Sequence, residues 1–288
     1  MADPTREAIT SVPALEAVRA LVEPVLRAEL AERGAELAEL DASTRVLVDE
    51  IGRLLEAGGK RIRPALCVWA FRAAGGSGEE AVLRAAAALE LLHTFALVHD
   101  DVMDGSEARR GVPATHVRFA KEAPSGSDPE RFGTAAAILV GDLAAVLAER
   151  LLRTCGARPE RLDLAWARFD RMRIEMAAGQ LLDLSTIAGS PEVASLKTGS
   201  YTAEGPVAIG AALAGAGPAE EEPLLAYARL VGRAFQLRDD VQDGQAPPEA
   251  RAEVTELVSR AVSALRGAPL LGEGVRALTD LARLLEAG

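Results

Sequence analysis

Apolar residues recur at helical spacing along nearly the whole chain. Between Val12 and Leu55 they fall three and four apart, as at Leu21, Val25, Leu26 and Leu30, with Glu and Arg between them. This spacing predicts two amphipathic helices. The segment Gly58-Gly59-Lys60-Arg61-Ile62-Arg63-Pro64 interrupts the pattern, and Pro64 suits the first turn of a helix running to about Ala74. A loop at 75–78 precedes a helix from Glu79 to about Met103, which ends in an acid-rich segment. Residues 105–113 and 123–129 are predicted connections. Helices resume at about Arg131–Thr154, Pro159–Ser185, Pro191–Ala214, Ala219–Val241 and from Pro248 to the end. Neither strand alternation nor a repeat of fixed period emerges. The expectation is an all-α bundle with short loops, a single domain over 1–288.

Composition agrees with helices. Nearly half the residues are apolar but only 3% are aromatic, so the core is Ala, Leu and Val packed between helices rather than strands rich in aromatic and β-branched residues. A net charge of −11 argues against a nucleic-acid partner, which needs basic patches. A small anionic substrate is still admissible if divalent metals and a few basic residues screen it. The basic residues are almost all arginine, with lysine only at 60, 121 and 197. Cys67 and Cys155 lie far apart without a CxxC, as reduced buried thiols of a cytoplasmic protein would. The N-terminal residues lack the apolar run of a signal peptide. The apolar stretches 81–98 and 134–148 are interrupted by Arg84, Glu90 and His93 and by Asp142, so no membrane span is expected.

Two segments carry chemistry. Asp100-Asp101-Val102-Met103-Asp104 closes an apolar helix, and Asp100 and Asp104, four apart, project from one face with Asp101 beside them. Hard carboxylate oxygens of this kind suit Mg²⁺, which keeps several waters and is shared with substrate phosphates. A second cluster, Gln236-Leu237-Arg238-Asp239-Asp240-Val241-Gln242-Asp243, repeats the spacing at Asp239 and Asp243. Two acidic helix faces in one bundle would repel unless cations bridge them, whereas two unrelated solvated helix ends are the bland alternative. Lys60, Arg61, Arg63, Arg109 and Arg110 supply positive charge for a diphosphate, the arginines by forked contacts.

These residues resemble the trans-prenyl diphosphate synthase (polyprenyl synthetase) family, from GGKRIRP to the second aspartate motif. Leu92-His93-Thr94, Arg109-Arg110-Gly111, Gly141-Asp142, Gly179-Gln180-Leu181-Leu182-Asp183 and Lys197-Thr198-Gly199 add landmarks in family order. The resemblance implies a helical bundle around a central apolar cavity. It further implies about three Mg²⁺ ions held by Asp100 and Asp104 on one side and Asp239 on the other, supported by Asp101, Asp240 and Asp243. By the same resemblance Lys60, Arg63, His93 and Arg110 bind isopentenyl diphosphate, Arg109 and Lys197 grip an allylic diphosphate, and Thr198 and Gln236 face the developing cation. The implied reaction is a head-to-tail condensation of the two substrates, carried out by a homodimer.

Phe95 and Ala96, about one helical turn before Asp100, occupy the place where the family sets side chains that stop the growing tail. One bulky residue beside a small one resembles the short-chain type that makes geranylgeranyl diphosphate (C20), with farnesyl diphosphate as the alternative product. The chain departs from the family after Asp243, where Gly244 runs into Gln245-Ala246-Pro247-Pro248 and no lysine follows Lys197. Either the chain truly lacks the lysine-bearing loop or a mobile segment is absent from this sequence. A class I terpene cyclase shares the fold, but its second motif normally carries Asn, Ser and Glu. A non-catalytic partner subunit is the rival from another class, although such a subunit is expected to have lost an acid cluster.

Overall fold

The computed structural model describes residues 12–185, 201–242 and 244–286. The chain divides into two compact units, one of Met1–Ala20, Arg61–Ala86 and Cys155–Gly288, the other of Leu21–Lys60 and Ala87–Thr154. In chain order the helices are α1 (Pro13–Leu40), α2 (Val46–Glu56), α3 (Ile62–Ala73), α4 (Glu79–Met103), α5 (Thr115–Lys121), α6 (Pro129–Arg153), α7 (Pro159–Ser185), α8 (Gly205–Ala214), α9 (Pro218–Gln242), α10 (Ala250–Ala264) and α11 (Gly272–Arg283). A hairpin of β1 (Ala108–Arg109) and β2 (Val112–Pro113) lies between α4 and α5.

In the first unit, α3 and α8 carry apolar residues on all sides and are buried throughout most of their length, as helices enclosed by neighbours must be. They approach closely because Gly210 of α8 lies against the Cys67 carbonyl of α3, leaving no room for a Cβ. The same device brings Gly274 of α11 against the Ala73 backbone. Tyr227 of α9 is completely buried, and its hydroxyl donates to the Leu278 carbonyl at 2.6 Å. That bond is what lets a phenol sit in the core. Trp69 likewise donates to the Ala14 carbonyl at 2.9 Å. Each large side chain buried here, such as Phe169 or Leu224, contributes about 1.5–3 kcal/mol. Cys67 and Cys155 are free and buried, and desolvation pushes both thiols up.

In the second unit, Val48, Ile51 and Leu55 form the buried stripe of α2. Asp128 caps α6 by accepting from the Arg131 amide at 3.2 Å, with Pro129 in the first turn. Gly133 admits the His116 carbonyl of α5 to the surface of α6.

Three features differ from the sequence expectation. The segment from Pro248 forms two helices rather than one, because Gly267 takes a left-handed φ of 72° and Pro269 follows it. The hairpin appears where only a connection was predicted, and α5 lies at 115–121, a stretch to which the sequence assigned no element, since two-residue strands show no alternation and seven residues show barely two helical turns. Finally, α4 is long and apolar enough by composition to span a bilayer, contrary to the expectation from its interrupting charges. Yet 61% of its apolar window is buried within the protein, as in a core helix. The first part of the helix expected at Pro191–Ala214 lies outside the described residues.

Candidate functional site

The first acidic motif sits at the last turn of α4. Left-handed Gly105 (φ 63°) stops the helix, and the Ser106 amide donates back to the Asp101 carbonyl at 2.9 Å, the arrangement of a Schellman cap. Three carboxylates therefore gather at the negative end of the helix dipole, where cations are favoured and acids are not. Asp104 is exposed, Asp100 is partly exposed and Asp101 is buried.

Part of the compensating charge is Arg109. Its Nε donates to Asp101 Oδ1 at 2.6 Å and its Nη2 to Asp100 Oδ2 at 3.4 Å. Burial pushes the Asp101 carboxyl above its ordinary range, and the Arg109 contacts only partly offset this. Arg109 is delivered by the hairpin, in which Arg109 pairs with Val112 and Ala108 with Pro113. Arg110 (φ 53°) and Gly111 (φ 80°) form its two-residue turn, both left-handed, as a type I′ connection requires. The non-glycine residue in that position costs about 1 kcal/mol. The Arg110 side chain donates to the Gly58 carbonyl of the glycine-rich segment.

A narrow cleft brings His93, Arg109, Arg110 and Asp101 together with Glu90, Thr94 and Leu97. Phe95 and Ala96 do not line it. Phe95 instead packs edge to face on His99 with ring centroids 4.7 Å apart, and His99 Nε2 lies 3.2 Å from the Ile138 carbonyl of α6. Lys60 is exposed in the same unit.

The other predicted residues belong to the first unit. Arg63 donates to Thr202 Oγ1 at 3.0 Å and stacks over the Tyr201 ring at 4.3 Å. At the end of α9 the acidic motif is capped as the first one is. Gly244 is left-handed (φ 73°), and the Gln245 amide donates to the Asp240 carbonyl at 2.8 Å. Gln236 Nε2 donates to Asp240 Oδ1 at 2.6 Å, while Gln236 Oε1 is buried without a hydrogen-bond partner. Asp239 is half-buried. Lys197, Thr198 and Asp243 lie outside the described residues.

The donor set fits Mg²⁺. Asp100 and Asp104 offer hard oxygens on one face at a helix end that favours cations, and Asp104 is open to solvent. Among the described residues no three His, Cys, Asp or Glu groups are placed to encage an ion by themselves. Tyr201 and Thr202 were not singled out in the sequence; a small hydroxyl and an isolated tyrosine give no local signal.

A polyprenyl synthetase family model matches residues 44–255. A Methanosarcina mazei protein named geranylgeranyl diphosphate synthase is 37% identical over 223 residues, which cover 75% of this chain and 62% of the relative. An Aeropyrum pernix protein named geranylfarnesyl diphosphate synthase is 35% identical over 199 residues, covering 65% and 58%. The chain thus spans about three fifths of the length of these curated relatives. A crystal structure of geranylgeranyl pyrophosphate synthase from Corynebacterium glutamicum, complexed with isoprenyl diphosphate and magnesium, has a TM-score of 0.84 at 27% identity and covers 95% of this chain and 98% of that one.

Proposed function

Given that the chain belongs to the polyprenyl synthetase family, we propose that it is a magnesium-dependent prenyltransferase. It joins isopentenyl diphosphate head to tail to an allylic diphosphate, with geranylgeranyl diphosphate as the product. The observation that carries this reading is the capped α4 terminus, where Asp100 and Asp101 meet the hairpin-borne Arg109, beside a cleft that Asp101, Arg109 and Arg110 line.

Asp100 and Asp104, with Asp239 of the second motif, would hold the ions, numbering about three, and Asp101, Asp240 and Asp243 would support them. Magnesium, when bound, would neutralise the diphosphate as it departs. Arg109 and Lys197 grip the allylic diphosphate and share its developing charge. Lys60, Arg63, His93 and Arg110 hold isopentenyl diphosphate so that its double bond meets the allylic carbon. The allylic C–O bond breaks, a C–C bond forms, and the proton released from the adduct passes to the departing diphosphate. Thr198 and Gln236 present oxygens to the transient positive charge, and apolar side chains keep water from capturing it.

Phe95 and Ala96 sit about one turn before Asp100 on α4, and this placement supports their role in ending the chain at C20. Replacing Phe95 by Ala should shift the product to longer chains by mass; an unchanged C20 product would remove Phe95 from that role. Exposed Ile138, Leu139 and Val146 along α6 support a homodimer, which light scattering showing a monomer would refute. Location in the cytoplasm accords with the free thiols. The reading is tested by withdrawing metal: EDTA should abolish incorporation of labelled isopentenyl diphosphate, and added Mg²⁺ should restore it. Incorporation that persists in EDTA would sink it.

A further inference from the structure

Glu50 is the most deeply buried carboxylate of the second unit, with no solvent exposure at all. Its oxygens accept a fork from Arg53, Nε at 2.7 Å and Nη2 at 2.6 Å, together with Thr115 Oγ1 at 2.9 Å and Arg118 Nη1. Burial alone would raise its pKa, but the bonds from Arg53, Thr115 and Arg118 more than offset this and hold it below the ordinary range.

The geometry around this carboxylate reaches the hairpin at its base. Arg53 Nη2, already bound to Glu50, also donates to the Pro113 carbonyl at 3.1 Å. Thr115 follows two residues later as the first residue of α5. The Ala114 amide donates to the Glu107 carbonyl at 3.0 Å and closes the hairpin. The strands are too short to fix themselves, since each has two residues and an isolated hairpin is marginal at best; the side chains of Arg109 and Arg110 tie down its turn end, and the Arg53 fork reaches its base.

We infer that Glu50 and Arg53 are positioning residues: the buried carboxylate fixes the Arg53 fork, which holds the base of the hairpin that carries Arg109 and Arg110 to the diphosphates. Neither residue lines the cleft. The inference rests on the proposed function for what the hairpin does, but the clamp itself is a statement about the hairpin alone.

The test uses Arg53→Lys, which keeps the charge and loses the fork, with Arg118→Gln as a comparison. Arg118→Gln removes a Glu50 partner without touching Pro113. Amide hydrogen exchange over residues 107–114 should quicken at least tenfold in Arg53→Lys and stay unchanged in Arg118→Gln. Steady-state kinetics should show KM for the diphosphate substrates raised about tenfold in Arg53→Lys with kcat within about twofold, while Arg118→Gln lowers only the melting temperature. Unchanged exchange in Arg53→Lys, or equal effects of both variants on KM, would overturn the clamp. A wild-type protein with no condensation activity would remove the proposed function only. The exchange comparison, and calorimetric binding of inorganic diphosphate with Mg²⁺, would then decide the inference.

Discussion

At the residue scale, Asp100 and Glu50 show what a carboxylate does in two surroundings. Asp100 is half-open at a helix end that disfavours its charge, so its place there has a use for cations. Asp100→Asn should lower kcat about 10³-fold, because a metal's charge stabilisation is worth several kcal/mol; a fall smaller than about tenfold in a steady-state assay would contradict the assignment. Glu50 is the opposite case. Its folded pKa lies below the ordinary 4.5, so the unfolded chain binds the proton more readily. Its stabilisation is complete above that value and disappears as pH falls through the folded pKa. At about pH 7 Glu50→Gln should cost about 3 kcal/mol, since breaking a buried pair leaves its arginines uncompensated. Melting curves of the two proteins should draw together as pH falls below 4.5. Curves that stay equally far apart down to acid pH would show that the charge is not what matters.

At the scale of elements, what the sequence reveals depends on how local the determinant is. The two acidic helix ends were legible because each is written within a few residues, Asp100–Gly105 and Asp239–Gly244, and each stops at a left-handed glycine. The break between α10 and α11 had its signal in Gly267 and Pro269, although the helical period on either side overrode it. The hairpin offered only the Arg110-Gly111 dipeptide. The Glu50–Thr115 bond joins residues 65 apart and has no local trace. Close helix packing is equally hidden: that Gly210 meets the Cys67 carbonyl follows from neither helix alone. Gly210→Ala should therefore force α8 from α3 and cost about 3 kcal/mol, lowering the melting temperature by at least about 6 °C. An unchanged melting temperature would mean that the two helices separate without cost.

For the whole molecule, family and helical architecture agree with the sequence pattern, and the relatives' names bracket more than one product length. The departure after Asp243, where no lysine follows, makes turnover itself the central issue, since metal binding alone would also suit a partner subunit. The most direct measurement is to incubate the purified protein and Mg²⁺ with isopentenyl diphosphate and, in separate reactions, dimethylallyl, geranyl or farnesyl diphosphate, and to read the products by mass. The account predicts a C20 diphosphate. No condensation with any starter, or a cyclised hydrocarbon in place of a linear diphosphate, would contradict it.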